Sequence, residues 1–204
     1  MINSNIYGIF PTPIYICRLN KKISTPEFKF VEENKKKCYP NQGNSTSNNK
    51  YILNETPFIN IKKELDLIIK DYFNKIEGSG DSVKPYITQS WLNYTEKNQH
   101  HHRHSHENSI VSGVLYIKAN KEFDKIKFFK NRYKQIAPEI INYNLWNAES
   151  YWFSVETGDV VMFPSYLDHM VEVAEKNDTR ISLAFNVFIK GDIGNSEKLT
   201  QLRL

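Results

Sequence analysis

Five of the chain's six histidines fall in one nine-residue run, Asn98-Gln-His-His-His-Arg-His-Ser-His106, and the sixth is His169. Imidazole is the commonest side-chain metal ligand. In an extended segment, side chains two apart point the same way, so His100, His102, His104 and His106 would share one face. An H-x-H pair from one strand plus one distant histidine makes a three-ligand site with open coordination positions, which a catalytic metal needs and a closed structural site lacks. A histidine-rich tract is also found as plain solvated surface that picks up stray metal. The two readings part on whether the fold returns His169 to the cluster.

A second set of residues lies downstream. Gly158-Asp-Val-Val-Met-Phe-Pro164 reads as a turn and strand that deliver Ser165 to His169, and Arg180-Ile-Ser182 begins 11 residues beyond that histidine. In a strand from Thr179 to Lys190, Arg180, Ser182, Ala184 and Asn186 share one face, and Ile181, Leu183, Phe185 and Val187 share the other. The second face is apolar core. A guanidinium on the inner wall is costly unless it is paired. Its natural partner is a carboxylate held in its fork, with the Ser182 hydroxyl as a further donor. An internal salt bridge or a solvent-facing strand would account for the same pattern.

The elements that must position these residues follow from periodicity. Ile9–Leu19 alternates loosely behind Pro11 and Pro13 and reads as an edge strand. Pro26–Lys37 reads as a short helix capped by Thr25, with Phe28, Phe30 and Val31 inward. Tyr39–Asn49 is polar and turn-rich and reads as a loop, either plain surface or a lid. Thr56 as N-cap and Pro57 at the first position open a helix whose Ile61, Leu65, Ile68, Ile69, Tyr72 and Ile76 form an apolar stripe, stopped at Gly78-Ser-Gly80. From Pro85 onward the pattern is β: Tyr86–Thr95, Ile110–Lys118, Ile126–Phe129, Tyr151–Val155, Val160–Phe163, Met170–Ala174 and Thr179–Lys190. Strands in succession without helical periods between them predict a sandwich or barrel. Arg132–Trp146 gives no clear pattern, and Pro138 breaks any helix there.

Composition sets outer bounds. The chain has 204 residues, 40% hydrophobic and 13% aromatic, enough for a packed core in one domain. Residues 1–80 supply an N-terminal strand and packing helices, and residues 85–192 the metal-binding core. The net charge of +4 is weak ground for nucleic acid. Lys118–Lys134 carries seven Lys or Arg against two acidic residues, with Phe123, Phe128, Phe129 and Tyr133 interleaved. Alternation into a half-buried strand is the more economical account of it than base stacking. Cys17 and Cys38 form no C-x-x-C pattern, which favours a reduced, cytoplasmic setting. No apolar run approaches membrane-spanning length, and the N-terminus has no signal-peptide pattern.

Taken in order, Ile87-Thr-Gln-Ser-Trp-Leu-Asn93, His104-Ser-His106-Glu-Asn-Ser-Ile-Val-Ser-Gly-Val114, Gly158-Asp-Val-Val-Met-Phe-Pro-Ser165 with His169, and Arg180-Ile-Ser182 with Phe185-Asn186 resemble the 2-oxoglutarate/Fe(II)-dependent oxygenases found in bacteria and their phages. Ile9-Phe-Pro-Thr-Pro-Ile14 resembles the start of that family. The resemblance implies a double-stranded β-helix, a cupin-like jelly roll, mainly β with flanking helices. It implies Fe(II) on His104, His106 and His169, and 2-oxoglutarate as cosubstrate, its far carboxylate on Arg180 and Ser182, with Tyr116, Asn93 and Asn186 as further donors. It also implies O2 and a substrate that the sequence does not identify. The wider superfamily has His-x-Asp where this chain has His104-Ser-His106. His102-Arg-His104 is therefore a rival pair, and Glu107 a nearby carboxylate. A cupin-like metal-binding protein without oxygenase chemistry and a structural virion-associated jelly roll are the alternative classes. Oligomeric state is left open.

Overall fold

The computed structural model describes residues 2–130, 136 and 138–204. Part of the patternless Arg132–Trp146 stretch and of the basic Lys118–Lys134 run therefore lies outside the described residues. Twelve strands and two α-helices are described: β1 Tyr15–Arg18, α1 Thr25–Lys35, β2 Cys38–Pro40, β3 Ser45–Ser47, α2 Ile59–Tyr72, β4 Val83–Thr95, β5 His101–His104, β6 Val111–Lys118, β7 Lys125–Phe129, β8 Ser150–Ser154, β9 Asp159–Pro164, β10 His169–Val171, β11 Arg180–Ile193 and β12 Leu202–Arg203.

Two antiparallel sheets face each other. The larger runs β1-β9-β6-β11-β4-β3-β2, with β12 added to the end of β11, and the smaller runs β5-β10-β7-β8. With the helices on one side, this is the expected jelly roll. β11 is its central plank, paired with β4 on one side and β6 on the other. Its Ile181, Leu183, Phe185 and Val187 are buried in the core that the helices cover, as the alternation predicts. α2 contributes Ile61, Leu65, Ile69 and Tyr72 to the same core, with Ile68 and Ile76 half-buried against it. Val31 of α1 is buried there too, and Phe28 and Phe30 pack on it. A second cluster, including Tyr116, Ile126, Phe128, Val161 and Phe163, fills the space between the sheets.

Several local expectations are corrected. The cap of α1 is Ser24, not Thr25: its backbone N–H donates to Glu27 Oε2 at 2.6 Å, and the Glu27 N–H returns to Ser24 Oγ, a capping box. Thr56 does not cap α2. Residues 56–58 form a 3-10 turn that runs into it, with no side-chain cap. Tyr39–Asn49 is not a structureless loop. It holds β2 and β3, a hairpin that extends the large sheet through β4. Its Ser, Thr and Asn content is what a polar sheet edge and a loop have in common. Edge placement of β1 and the stop at Gly78 in the left-handed conformation (φ 61°) agree with the sequence.

One glycine is fixed by packing. Gly113 of β6 lies opposite Phe185 of β11. A Cβ there would fall inside the Phe185 ring, which is fully buried. Gly113→Ala is expected to lower stability by about 1–3 kcal/mol through overpacking, read as a lower urea midpoint with an unchanged slope.

Candidate active site

His169 opens β10, and its Cα partner across the sheet is His104 of β5. On the other side it is paired with Phe128 of β7. Two short strands far apart in sequence thus hold these two imidazoles against each other, with ring centroids 4.3 Å apart and ring planes tilted by 51°. His106 follows just after β5. Its backbone N–H donates to the Ser165 carbonyl at 2.9 Å, and its ring stacks on His169 at 5.2 Å. The ligand-capable atoms of His104, His106 and His169 all lie within 4.8 Å of one another. The fold does return His169 to the cluster.

Two of the three imidazoles are oriented by the backbone. His104 Nδ1 bonds the His102 carbonyl at 2.8 Å, and His169 Nδ1 bonds the Leu167 carbonyl at 3.1 Å. A ring nitrogen that bonds a carbonyl must carry the proton, which leaves Nε2 of each ring as the free donor atom, the usual arrangement of a metal-binding histidine. Burial, followed by mutual repulsion, holds His169 well below the usual histidine range, and burial lowers His104 as well. Burial and the neighbouring His104 push His106 down to about 4. All three are therefore neutral at physiological pH, as metal ligands must be.

Among the described residues no carboxylate joins them. Glu107 is exposed. The nearer Asp168 accepts from Arg103 Nε at 2.9 Å. The rival His102 belongs to a second trio, His101, His102 and His104, which lies within the same distance limit but does not include His169. His102 Nδ1 is turned to the Gln42 carbonyl at 3.2 Å. Three neutral imidazoles form a donor set that suits iron, zinc, copper and nickel alike.

Across the cavity stands Arg180, 5% exposed, with Ser182 next along the same face of β11. The guanidinium already has an internal carboxylate nearby, which the sequence did not reveal. Asp124 Oδ1 is 3.6 Å from Arg180 Nη1, and Asp124 is itself buried. That distance is an ionic contact and too long for a hydrogen bond. Asp124 Oδ2 is instead taken by the Asn120 backbone N–H at 2.8 Å. Among the described residues no hydrogen bond occupies the guanidinium fork, so its donors remain for an incoming carboxylate. Burial raises the Asp124 carboxyl, against the pull of the Asn120 N–H and of Arg180.

The other expected donors divide. Tyr116 and Asn93 line the cavity, both buried. Asn93 takes the Thr46 hydroxyl on its amide oxygen at 2.9 Å, which leaves its NH2 group as the donor. Asn186 does not line the cavity. Its amide oxygen accepts from Ser112, which is linked through Ser165 to Ser109 in a chain of hydroxyls. Trp91 lines the cavity and lies 5.7 Å from His106, whereas Trp152 is half-exposed under Lys125. Phe128 of the basic aromatic stretch is buried between the sheets. The cavity itself is narrow, about 30 Å³, room for about one water. That is too small for a diacid, so binding one requires lining side chains to move.

The lowered imidazoles have a pH signature. Below about 6.5 the unfolded chain takes up protons at these histidines while the folded chain does not, so folding stability falls with pH until His106 itself titrates near 4. The metal-free protein is expected to lose thermal stability between pH 7 and 5.5, above the range of ordinary carboxylates. His106→Gln should flatten that dependence. A melting temperature constant across this window would contradict the burial of neutral imidazoles.

Residues 89–186 match the family described as "Putative 2OG-Fe(II) oxygenase". No curated protein matches the sequence. Among solved structures the chain is similar to HygX from Streptomyces hygroscopicus with nickel, 2-oxoglutarate and hygromycin B bound, at TM-score 0.57 and 11% identity over 86% of this chain and 82% of that one. It is similar to a Pseudomonas putida prolyl-4-hydroxylase at TM-score 0.57 and 12% identity, over 86% and 92%. It is also similar to a 2OG-Fe(II) oxygenase family oxidoreductase from Burkholderia pseudomallei at TM-score 0.53 and 10% identity, over 84% of each. Identities this low speak for the fold, and the family match runs from the Trp91 strand through both histidine segments to the Arg180 strand. Over residues 89–186 the chain carries a 2OG-Fe(II) oxygenase domain, with iron and 2-oxoglutarate as cofactor and cosubstrate.

Proposed function

We propose that His104, His106 and His169 hold the iron through their Nε2 atoms, and that Arg180 and Ser182 hold the far carboxylate of 2-oxoglutarate. The observation that carries this reading is the convergence of three neutral imidazoles on one side of a buried cavity with, on the other, a guanidinium that makes no hydrogen bond among the described residues and meets Asp124 only at 3.6 Å. Iron(II), when bound, supplies the activation of O2 and the oxidative decarboxylation of 2-oxoglutarate to succinate and CO2 that hydroxylates a C–H of the substrate. The protein supplies the rest. The carbonyls of His102 and Leu167 fix the ring planes of His104 and His169. Arg180 anchors the cosubstrate with charge-assisted bonds, each worth about 1.5–3 kcal/mol. Asn93 NH2 and Tyr116 OH are further donors into the same space, and the buried walls keep water out.

The Arg180–Asp124 contact is what a non-oxygenase reading would rest on, a metal-binding jelly roll whose arginine is merely structural. Its length and the prior commitment of Asp124 to Asn120 favour the oxygenase reading. We read residues 1–204 as one domain, since one core joins α1 and α2 to the large sheet. No described helix is long and apolar enough to cross a membrane. Both cysteines are free, which supports a reduced cytoplasmic setting, the host cytoplasm if the chain is phage-encoded.

The protein loaded with iron(II) is expected to form succinate from 2-oxoglutarate in the presence of O2, at a basal rate that a substrate raises. His169→Ala should abolish turnover, and Arg180→Ala should raise the KM for 2-oxoglutarate at least about tenfold. Succinate release that is indifferent to both substitutions would overturn the assignment.

A further inference from the structure

The inner cavity contains a fourth imidazole that the reading above leaves without a task. His101 lines it together with Asn93, Thr95, Tyr116, Arg180 and Ser182. In a regular strand His101 and His104, three residues apart, would face opposite sides of the sheet. The register between β5 and β10 breaks between them. His169 pairs with His104 and Val171 pairs with His101, so His102 and Arg103 together stand opposite the single Met170. A bulge of this kind changes the alternation and re-aims a side chain. Here it brings the His101 ring to 4.5 Å from the His104 ring, inside the cavity.

The ring is free of a tie that three of its neighbours carry. His102, His104 and His169 each commit Nδ1 to a backbone carbonyl. Among the described residues no hydrogen bond ties either nitrogen of His101. Burial, with the charges of the neighbouring histidines and of Arg180 adding to it, pushes its pKa down. A neutral imidazole offers one donor and one acceptor, and this one shares its cavity with both the His104/His106/His169 trio and the guanidinium. A group bound between those two would meet it.

We propose that His101 is a cosubstrate-contacting residue, which hydrogen-bonds 2-oxoglutarate held between the His104/His106/His169 trio and Arg180. This rests on the assignment of that trio as metal ligands and of Arg180 as the carboxylate partner. It competes with one other use of the same ring, as a metal ligand in the His101/His102/His104 trio.

Nickel-loaded protein titrated calorimetrically with 2-oxoglutarate decides between them, with metal content measured on each sample. His101→Leu keeps comparable bulk and removes both nitrogens, His101→Gln restores a donor and an acceptor, and Arg180→Ala is the reference. Both His101 variants are expected to retain nickel. His101→Leu should bind 2-oxoglutarate about tenfold more weakly, the loss of one hydrogen bond, and His101→Gln should recover most of that. Should the Leu variant not fold, His101→Phe carries the same comparison. Wild-type affinity in His101→Leu alongside weakened Arg180→Ala would overturn the role of His101 and leave the site reading intact. Unchanged affinity in Arg180→Ala would bring down the site reading and the inference with it. Loss of nickel in His101→Leu would make His101 a ligand and overturn the proposal.

Discussion

The site depends on one backbone pairing, His169 of β10 against His104 of β5. β10 is only three residues long, yet it is gripped on both edges, because His169 is also paired with Phe128 of β7. The segment that leads into it is held as tightly. Ser165 accepts the His106 backbone N–H and donates its own N–H to Ile110, and Leu167 N–H closes a turn on Pro164. Every one of the three imidazoles is thus carried on backbone that is hydrogen-bonded to the backbone carrying another. Side chains on sheet strands and their immediate flanks can be held to the tolerance that metal coordination needs, which loop side chains seldom reach.

The charge arrangement follows from that scaffold. Where a His-x-Asp pattern would put a carboxylate, this chain places a third neutral imidazole, so a ferrous ion held on the proposed trio would keep its full double charge. Arg180 adds another positive group in the same buried space, and Asp124 offsets only part of it from 3.6 Å away. Asp168, which precedes His169 in the chain, is engaged by Arg103. A cavity with this surplus of positive charge favours a dianion, and 2-oxoglutarate is one. In the proposed arrangement the cosubstrate would compensate the departure from His-x-Asp, with no acid among the described residues taking the missing place.

Much of this was legible in the sequence, for identifiable reasons. β11 alternates apolar with polar residues over a long run, so Arg180 and Ser182 could be placed on the cavity face and Ile181 and Leu183 in the core. His169 could be paired with the histidine run because a turn and strand lead into it. His101 was not legible: the bulge opposite Met170 breaks the period of two on which the reading of His100, His102, His104 and His106 rested. Asp124 was hidden because a turn closed by its own contacts with Asn120 tucks it beneath Arg180, and no periodic pattern reports a turn's inner side. The β2–β3 hairpin was hidden by its composition, and its Gln42–Gly43 turn lies against His100 and His102 at the start of the histidine run. A lone Asn186 looked like a cavity donor by parity, but Ser112 on the adjacent strand claims it.

The measurement that bears most directly on the central claim is an anomalous-diffraction map of crystals soaked in nickel and 2-oxoglutarate. The account predicts a single strong peak bonded to Nε2 of His104, His106 and His169 at about 2.0–2.1 Å, typical of metal–imidazole bonds, with the diacid extending from it to the Arg180 guanidinium. A peak on His101 and His102 that leaves His169 unligated, or a diacid bound away from Arg180, would contradict it.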